Sequence, residues 1–201
     1  MKRLATMTAL AALSVPALSQ AATWEIDPAH SSIGFAVKHM MVSTVRGEFG
    51  KFSGTVNLEP DLTRSSVEVT IDVASVDTRD AKRDGHLQSP DFFDAARFPT
   101  ATFKSTSVEK TATGLKVVGK LTMKGVTKAV TLEVKGPSEE ARSPFGSTVR
   151  GASATAVINR KDFGVSWNKT LDTGGMLVGE EVVLSLDVEL VRKEAPGVAK
   201  K

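Results

Sequence analysis

The feature that most constrains this chain is a strict alternation of apolar and polar residues over Ser66–Val73. From Val67 onward, Val or Ile occupies every second position of this segment, and the residues between them are Glu, Thr and Asp. Successive side chains of a β-strand point to opposite faces, so a period of two buries one face and exposes the other. The chain must therefore form a sheet with one buried face and one solvent-exposed face.

Similar strand patterns recur along most of the sequence. The predicted strands are Ser31–His39, Val45–Glu59, Ser66–Val73, Thr100–Val108, Leu115–Met123, Val126–Lys135, Ser147–Asn159 and Gly179–Val191. Two of them meet at the Lys124-Gly125 dipeptide, which predicts a hairpin. Helical segments do not alternate with these strands as they would in a parallel sheet, so we expect antiparallel pairing.

Glycines within the predicted strand Val45–Glu59 indicate how the sheet curls. Gly47, Gly50 and Gly54 are spaced through it, and glycines inside a strand often mark bulges or bends. The pattern favours an eight-stranded antiparallel up-and-down barrel, with a β-sandwich as the alternative. A barrel of this size has room inside for one elongated ligand.

Only one stretch, Lys82–Pro99, departs from the strand pattern, and it follows the third predicted strand. It is helical in pattern, charged and aromatic at once. A Ser89-Pro90 pair predicts an N-cap and first helical position ahead of Phe92 and Phe93. We expect this segment to form a lid and rim over the barrel, with both phenylalanine rings packed toward the interior.

Two polar side chains of this segment have more than one interpretation. Arg83 is placed either to meet a pyrophosphate or quinone oxygen at the barrel mouth, or to pair with Asp80 or Asp84. His86 is either a head-group donor and pH sensor or a buried side chain that ties the helix to the barrel rim. The residue pattern alone leaves both choices open.

The N-terminus has the features of a secretory signal peptide, which we assign to residues 1–21. A basic start, an apolar stretch over Leu4–Leu18 and the small-x-small sequence Ser19-Gln20-Ala21 support this assignment. Removing Lys2 and Arg3 lowers the formal net charge from +3 to +1. So small a positive charge does not support binding to nucleic acid. We expect a periplasmic protein with one domain over residues 22–192 and a flexible tail over 193–201.

Catalytic and metal-site patterns do not emerge from the sequence. The chain has no cysteine, which excludes a disulfide framework, and His30, His39 and His86 lack the spacing of metal ligands. A nucleophile elbow and a phosphate-binding glycine loop are also missing. We therefore expect a non-enzymatic protein without a metal or cofactor.

Many ordered motifs resemble the YceI family of periplasmic polyisoprenoid-binding proteins with a lipocalin-like barrel. The matching segments are Trp24 with Ile26-Asp27, His30–Phe35, Val37–Met40, Val45–Gly47 with Phe49, Phe52–Gly54, Ser75–Thr78, Arg83-Asp84, His86-Leu87, Ser89–Phe93, Phe98-Pro99, Thr102–Ser105, Gly119 with Leu121-Thr122, Gly125–Thr127 and Asn159–Gly164. They extend over nearly the whole predicted mature chain. Gly85 within the helical motif and Met123 before Lys124 depart from the family's pattern.

This resemblance implies a carrier or sequestering protein that binds a long-chain polyisoprenoid or an isoprenoid quinone in a hydrophobic tunnel. The alternative is a non-enzymatic accessory or docking protein for envelope-stress or electron-transfer partners. The resemblance leaves open a transient contact with a membrane surface or an envelope protein, and a homodimer. The residues expected to line the tunnel and its rim are Phe35, Val37, Val69, Ile71, Arg83, His86, Leu87, Phe92, Phe93, Phe103, Leu121, Leu132, Ala154, Ala156 and Leu186.

Overall fold

A computed structural model describes residues 21–172 and 174–193 of the chain. Apart from Ala21, the predicted signal peptide lies outside the described residues, as does the predicted tail beyond Lys193. The described residues form strands β1 (Ala22–Ile26), β2 (Ser32–His39), β3 (Ser43–Phe49), β4 (Phe52–Leu58), β5 (Ser66–Asp72) and β6 (Val76–Asp77), helix α1 (Ala81–Gln88), and strands β7 (Thr100–Thr111), β8 (Gly114–Met123), β9 (Val126–Lys135), β10 (Ala141–Arg142), β11 (Thr148–Asn159) and β12 (Val178–Arg192).

The strands form one antiparallel sheet that closes on itself. Strand β12 pairs with β11 on one side and with β1 and β2 on the other, which completes the ring. Strands β1 and β2 lie end to end, as do β3 with β4 and β5 with β6, so three of the eight strand rows are interrupted. The expected closed eight-stranded barrel is therefore confirmed.

The predicted position of the helix after the third strand is wrong, because α1 follows β6. The segment Val45–Glu59, predicted as one strand, is split into β3 and β4 at Gly50-Lys51, where the Gly50 N–H donates to the Ser75 C=O. That bond draws β6 onto β3 and leaves β5 on β4. The period of two continues across such a break, so the alternation does not reveal it.

The remaining two glycines of this segment, Gly47 and Gly54, do not mark bends; they leave space for large side chains of neighbouring strands. A Cβ at Gly47 would lie 2.5 Å from the ring of Phe35, and one at Gly54 would lie 2.6 Å from the side chain of Ile26. Both distances are far shorter than a van der Waals contact. Large apolar side chains of the neighbouring strands therefore pass directly over these two glycines inside the barrel.

Helix α1 covers one end of the barrel, which we call the upper end. Its N-cap is Asp80, whose carboxylate accepts the backbone N–H groups of Lys82 and Arg83 at 3.1 Å. The predicted N-cap role of Ser89 is wrong, because Ser89 follows the last residue of α1 and its hydroxyl donates to the His86 C=O. An aspartate upstream of the charged segment satisfied the helix N-terminus instead.

The segment after α1 is fastened to the far side of the barrel. The Lys124 ammonium donates to the Pro90 C=O at 2.9 Å across the upper end. Lys124 and Gly125 lie in the predicted hairpin between β8 and β9, which is confirmed by the pairing of Met123 with Val126. Both turn residues have positive φ, as a two-residue hairpin turn requires. Helix α1 and the residues after it therefore form a fixed roof.

Candidate ligand-binding cavity

The interior of the barrel holds two adjoining cavities. The first, the lower chamber, has a volume of about 210 Å³. Its wall comes from the inward face of nearly every strand and includes Val69, Ile71, Phe103, Leu121, Leu132 and Leu186. Among the described residues that line it, none has a charged side chain, and the few hydroxyl groups belong to serines. The lower chamber is thus a site for a hydrocarbon.

Small side chains on β11 help to create this space. Ala152 and Ala154 line the lower chamber opposite larger residues, since Ala154 pairs with Leu186 on β12 and with Val134 on β9. A run of small residues on one face of a strand is compatible with empty volume or with bulky neighbours that fill it. The structure places empty volume there.

The barrel end beyond the lower chamber is packed with Trp24, which is 1% exposed. The guanidinium groups of Arg150 and Arg192 lie 5.3 Å and 5.0 Å from its ring centroid. Both arginines also donate to the carboxylate of Glu140, at 3.1 Å and 2.6 Å. These cation–π and ionic contacts hold an aromatic floor at the lower end.

The second cavity, the upper chamber, has a volume of about 270 Å³ and lies beneath the roof. Apolar residues make up most of its wall, but Lys38, Arg83 and Arg160 also line it, together with His39 and His86. Of the described lining residues, none is an aspartate or glutamate. The ionisable groups of this chamber are therefore all bases.

Arg160 is the most deeply buried of these bases, with 4% of its surface exposed. Its guanidinium donates to the backbone C=O groups of Val165, Trp167, Val178 and Gly179 at 2.6–3.3 Å. Burial lowers the pKa of this guanidinium from its ordinary value, and the charge of Glu180 opposes that effect. An arginine keeps its proton even so, and it brings a fixed positive charge to the chamber wall.

Arg83 is held by the chain segment that leads into α1. Its Nε donates to the Thr78 hydroxyl at 2.7 Å and its Nη2 to the Thr78 C=O at 2.8 Å. The Thr78 hydroxyl in turn donates to Asp84 at 2.6 Å, whereas the guanidinium reaches Asp80 only at 4.0 Å. Hydrogen bonds through Thr78, rather than a close ion pair with either aspartate, therefore orient Arg83 beside the chamber.

His86 belongs to an aromatic cluster at the edge of the roof. Its ring packs edge-on against Phe92 and Trp167, with centroid distances of 4.9 Å and 4.8 Å. Its Nε2 lies 2.9 Å from a carboxylate oxygen of Asp91. The imidazole ties α1 to the loop after β11 and also faces the upper chamber. The contacts with Phe92, Trp167 and Asp91 make His86 a structural tie, although its side chain is 39% exposed rather than buried. A role as head-group donor and pH sensor stays a prediction.

The two chambers are separated by one layer of side chains. Phe49, Phe93, Met123, Ile158 and Leu184 line both of them. The Phe49 and Phe93 rings pack edge to face at 5.9 Å between their centroids. All members of this partition are apolar, and methionine adapts its shape readily. The two chambers thus lie one after the other inside the barrel with an apolar partition between them, and we call the pair the apolar path.

The structure brings nearly all of the sequence-predicted site residues to this path. Phe35, Val37, Arg83, His86, Leu87 and Phe92 line the upper chamber, Phe93 lines both, and Val69, Ile71, Phe103, Leu121, Leu132, Ala154 and Leu186 line the lower one. Ala156 is the exception, because it is buried in the core and borders neither chamber. On β11, its neighbour Ile158 reaches the chambers instead.

Sequence reasoning missed Arg160 and Trp167 as cavity residues. Arg160 lies in the family motif Asn159–Gly164, but neither it nor Trp167 was among the residues predicted to line the tunnel. Arg160 is buried because two backbone carbonyls of the segment just after it and two from the start of β12 converge on its guanidinium. The sequence signal that was available is a charged residue at the end of the apolar strand β11, and that pattern also suits a solvated arginine.

A separate polar cluster lies on the barrel wall, where a 3-10 helix over Pro28–His30 joins β1 to β2. The His30 imidazole lies 2.8 Å from Asp27 and 3.8 Å from Glu189. The hydrogen bond to Asp27 raises the pKa of His30, and the same bond lowers the pKa of Asp27. His30 is mostly exposed, and Asp27 also accepts the Ala29 N–H as the cap of the 3-10 helix. These contacts show that the cluster stabilises the turn between β1 and β2.

No helix within the described residues is both long enough and apolar enough to cross a membrane. Helix α1 has eight residues and carries charged side chains.

Comparisons with known proteins agree with this geometry. The family model of the YceI-like domain matches residues 24–190. A UPF0312 protein of Staphylococcus aureus is 38% identical over 167 residues, which cover 81% of this chain and 94% of that protein. The similarity therefore extends over nearly the whole of the relative.

Solved structures share the same fold. BcnA of Burkholderia cenocepacia is 30% identical, with a TM-score of 0.70 over 82% of this chain and 98% of that one. The YceI protein of Campylobacter jejuni is 32% identical, with a TM-score of 0.63 over 78% of this chain and 90% of that one. A polyisoprenoid-binding domain from Saccharophagus degradans, 16% identical, has a TM-score of 0.59 over 87% of this chain and all of that one, and this likeness concerns the fold alone. The chain belongs to the YceI-like domain family.

Proposed function

We propose that this protein is a periplasmic carrier or sequestering protein that binds one long-chain polyisoprenoid or isoprenoid quinone inside its barrel. The single observation that carries the proposal is the apolar path through two adjoining chambers, of which only the upper one bears charge. The periplasmic location rests on the signal-peptide pattern of residues 1–21. The role requires binding and release, and no catalytic step.

The lower chamber suits the isoprenoid tail. A hydrocarbon makes no hydrogen bonds, so a wall with no charged groups and only a few serine hydroxyls costs little when the tail displaces water. Each buried methylene contributes about 0.8 kcal/mol, whereas association costs on the order of 4 to 15 kcal/mol. A chain of several isoprene units is needed to exceed that cost, which favours long ligands over short ones.

The upper chamber suits an oxygen-rich head group. Arg160 brings a charge that is bonded only to neutral carbonyls, and Arg83 is held by the neutral hydroxyl and carbonyl of Thr78. Phosphate, carboxylate or quinone oxygens are acceptors that a guanidinium recognises strongly. In this orientation the tail passes the Phe49 and Phe93 partition and the head group stays under the roof.

The first experiment is extraction of the ligand. Protein purified from its native host is extracted with organic solvent, and the extract is analysed by mass spectrometry. We expect an isoprenoid lipid in about equimolar amount. Protein that is repeatedly free of ligand, and that also fails to bind a dansyl-labelled prenol, would refute the carrier role. A partner protein recovered by crosslinking to such empty protein would then favour the accessory or docking role.

A pair of neighbouring substitutions tests where the tail lies. Ala154→Phe introduces a ring into the lower chamber, and Thr155→Phe places the same ring on the outer face of β11. We expect Ala154→Phe to weaken binding of the dansyl-labelled prenol by at least about ten-fold, because it removes the equivalent of two or more buried methylenes. Thr155→Phe should leave binding unchanged. Equal binding by both variants would show that the tail does not occupy the lower chamber.

A further inference from the structure

An unusual group of exposed apolar side chains lies at the upper end of the barrel. Met40, Met41 and Val42 form the turn between β2 and β3, and their exposed fractions are 43%, 68% and 86%. Met176, in the loop before β12, is 45% exposed. The Met40 N–H donates to the Leu177 C=O at 2.8 Å, which brings the turn and this loop side by side. We call these four residues the rim patch.

The backbone of the turn makes the presence of methionine there notable. Met40 and Met41 have φ values of 51° and 60°, and the Val42 N–H donates to the His39 C=O at 3.0 Å. Turns with positive φ at both central positions strongly favour Asn-Gly, because a Cβ is disfavoured in the left-handed region. The turn therefore holds two large apolar side chains in water at positions where both solvation and backbone conformation disfavour them. Strain of this kind occurs chiefly at functional positions.

The rim patch is continuous with the wall of the upper chamber. His39, Leu177 and Val178 line that chamber, and they are direct chain neighbours of the rim patch. At the opposite end of the barrel the large exposed hydrophobic residue is Phe145, 96% exposed, in the turn between β10 and β11. That ring stands alone, and Phe145 does not line either chamber. Two further exposed valines, Val157 and Val183, are paired on the outer wall of β11 and β12. Among the exposed turns and loops of the described residues, those that adjoin the cavity and carry large apolar side chains lie at the upper end.

Basic side chains flank the rim patch. Lys38 and Lys169 are exposed, and neither forms a salt bridge among the described residues. The nearby carboxylates are Asp172, in the loop of Lys169, and Glu180 and Glu181, in the irregular part of β12 opposite Lys38, where Glu180 pairs with Lys161. Methionine and valine side chains with lysines at their margin match the layered chemistry of a bilayer surface, where acyl chains lie beneath anionic head groups. Methionine is also enriched at protein interfaces, so the lysines rather than the methionines favour a bilayer over a protein partner.

We propose that the rim patch docks the protein on a lipid bilayer that contains anionic phospholipids, and that ligand passes between the bilayer and the upper chamber there. Transfer in this sense rests on the carrier role proposed above, since a long isoprenoid resides in membranes rather than in water. Met40, Met41, Val42 and Met176 enter the outer acyl region. Lys38 and Lys169 contact the anionic head groups.

The test is co-sedimentation of the full protein with vesicles of equal parts phosphatidylcholine and phosphatidylglycerol, at low salt. The variant M40N/M41G gives the turn the Asn-Gly pair that its backbone favours, so it is expected to fold at least as well as the wild type. Vesicle binding should fall by at least about ten-fold, because the variant loses two apolar side chains that the wild type buries in the bilayer. Lys169→Gln should reduce binding about five-fold, and only on vesicles that contain phosphatidylglycerol.

Phe145→Ser is the matched control, since it removes an exposed apolar ring at the other end and should leave vesicle binding unchanged. The proposal is overturned if the wild type fails to bind these vesicles, or if M40N/M41G binds them as well as the wild type. Uptake of a dansyl-labelled prenol from detergent solution, measured on the same variants, reports the carrier role separately. M40N/M41G should keep that uptake while its uptake from vesicles slows at least about ten-fold.

Discussion

The lower and upper chambers lie within one barrel and share a wall of five apolar side chains, yet they differ in every other respect. The lower chamber is formed by the inward faces of regular strands and has no charged lining among the described residues. The upper chamber combines residues of β2, β3 and β12 with the roof and the segment after β11, and Lys38, Arg83 and Arg160 line it. Regular alternation creates most of the apolar volume, and Arg83 and Arg160, which lie outside the strands, bring charge to one end of it.

This difference gives the path through the barrel a direction. A ligand with an apolar tail and an oxygen-rich head gains free energy in one orientation, because the reverse orientation would leave Arg160 facing hydrocarbon.

The largest effect is expected from Arg160→Leu in the upper chamber. Four backbone carbonyls lose their shared donor, and buried acceptors left without a partner cost about 1 to 3 kcal/mol each. We expect the free energy of unfolding in urea to fall by about 3 kcal/mol or more. Arg160→Lys, which keeps the charge and some donors, should recover part of that loss. A loss below about 1 kcal/mol for Arg160→Leu would show that these bonds do not organise the chamber.

An intermediate effect is expected from Leu186→Ala in the lower chamber. Truncating a leucine in a filled core costs about 2 to 5 kcal/mol, of which a part reflects the cavity left behind. Leu186 already borders empty volume, so we expect about 1 to 2 kcal/mol in urea unfolding of the ligand-free protein.

Phe163→Ala provides the comparison for this measurement. Phe163 is 2% exposed and borders neither chamber, so its truncation should carry the full cost of about 3 to 5 kcal/mol. If Leu186→Ala were as costly as Phe163→Ala, Leu186 would be fully packed in solution. The lower chamber would then not contain the empty volume proposed for the ligand tail.

The smallest effect concerns the roof and depends on pH. Backbone N–H groups at the start of α1, chiefly that of Arg83, lower the pKa of Asp80 below its ordinary value of 3.8. Because the folded pKa is lowered, the cap stabilises α1 fully above about pH 3.8 and loses that contribution as the pH falls through the folded value. Hydrogen exchange of the Lys82 and Arg83 amides should therefore lose protection in strong acid.

Asp80→Asn separates this cap from general acid unfolding. An asparagine amide oxygen accepts the same N–H groups at every pH, so the acid-induced loss of protection at Lys82 and Arg83 should disappear. Amides of β8, which lies in the wall of the lower chamber, should show the same protection in both proteins. A parallel loss in β8 would mean that the roof and the barrel open as one unit.

Much of the fold was predictable because strand periodicity is a local property. The alternation in β5 and the Lys124-Gly125 turn are set by neighbouring residues, and both predictions are confirmed. The break between β3 and β4 was not predictable, because it depends on a bond from Gly50 to Ser75, far along the chain. The N-cap was misassigned for a related reason, since both Asp80 and Ser89 are suitable cap residues and only the path of the chain selects between them.

The sequence by itself determined that this chain forms a curled antiparallel sheet with an apolar inner face, and it contained the motifs of the YceI-like family. Those properties follow from the period of side-chain direction along each strand. Only the tertiary structure decided that Arg160 is buried against four carbonyls, that Phe49 and Phe93 meet between two chambers, and that charge is confined to one of them. These features arise where segments far apart in the sequence come together. Such contacts do not alter the local alternation of apolar and polar residues, so the sequence pattern does not predict them.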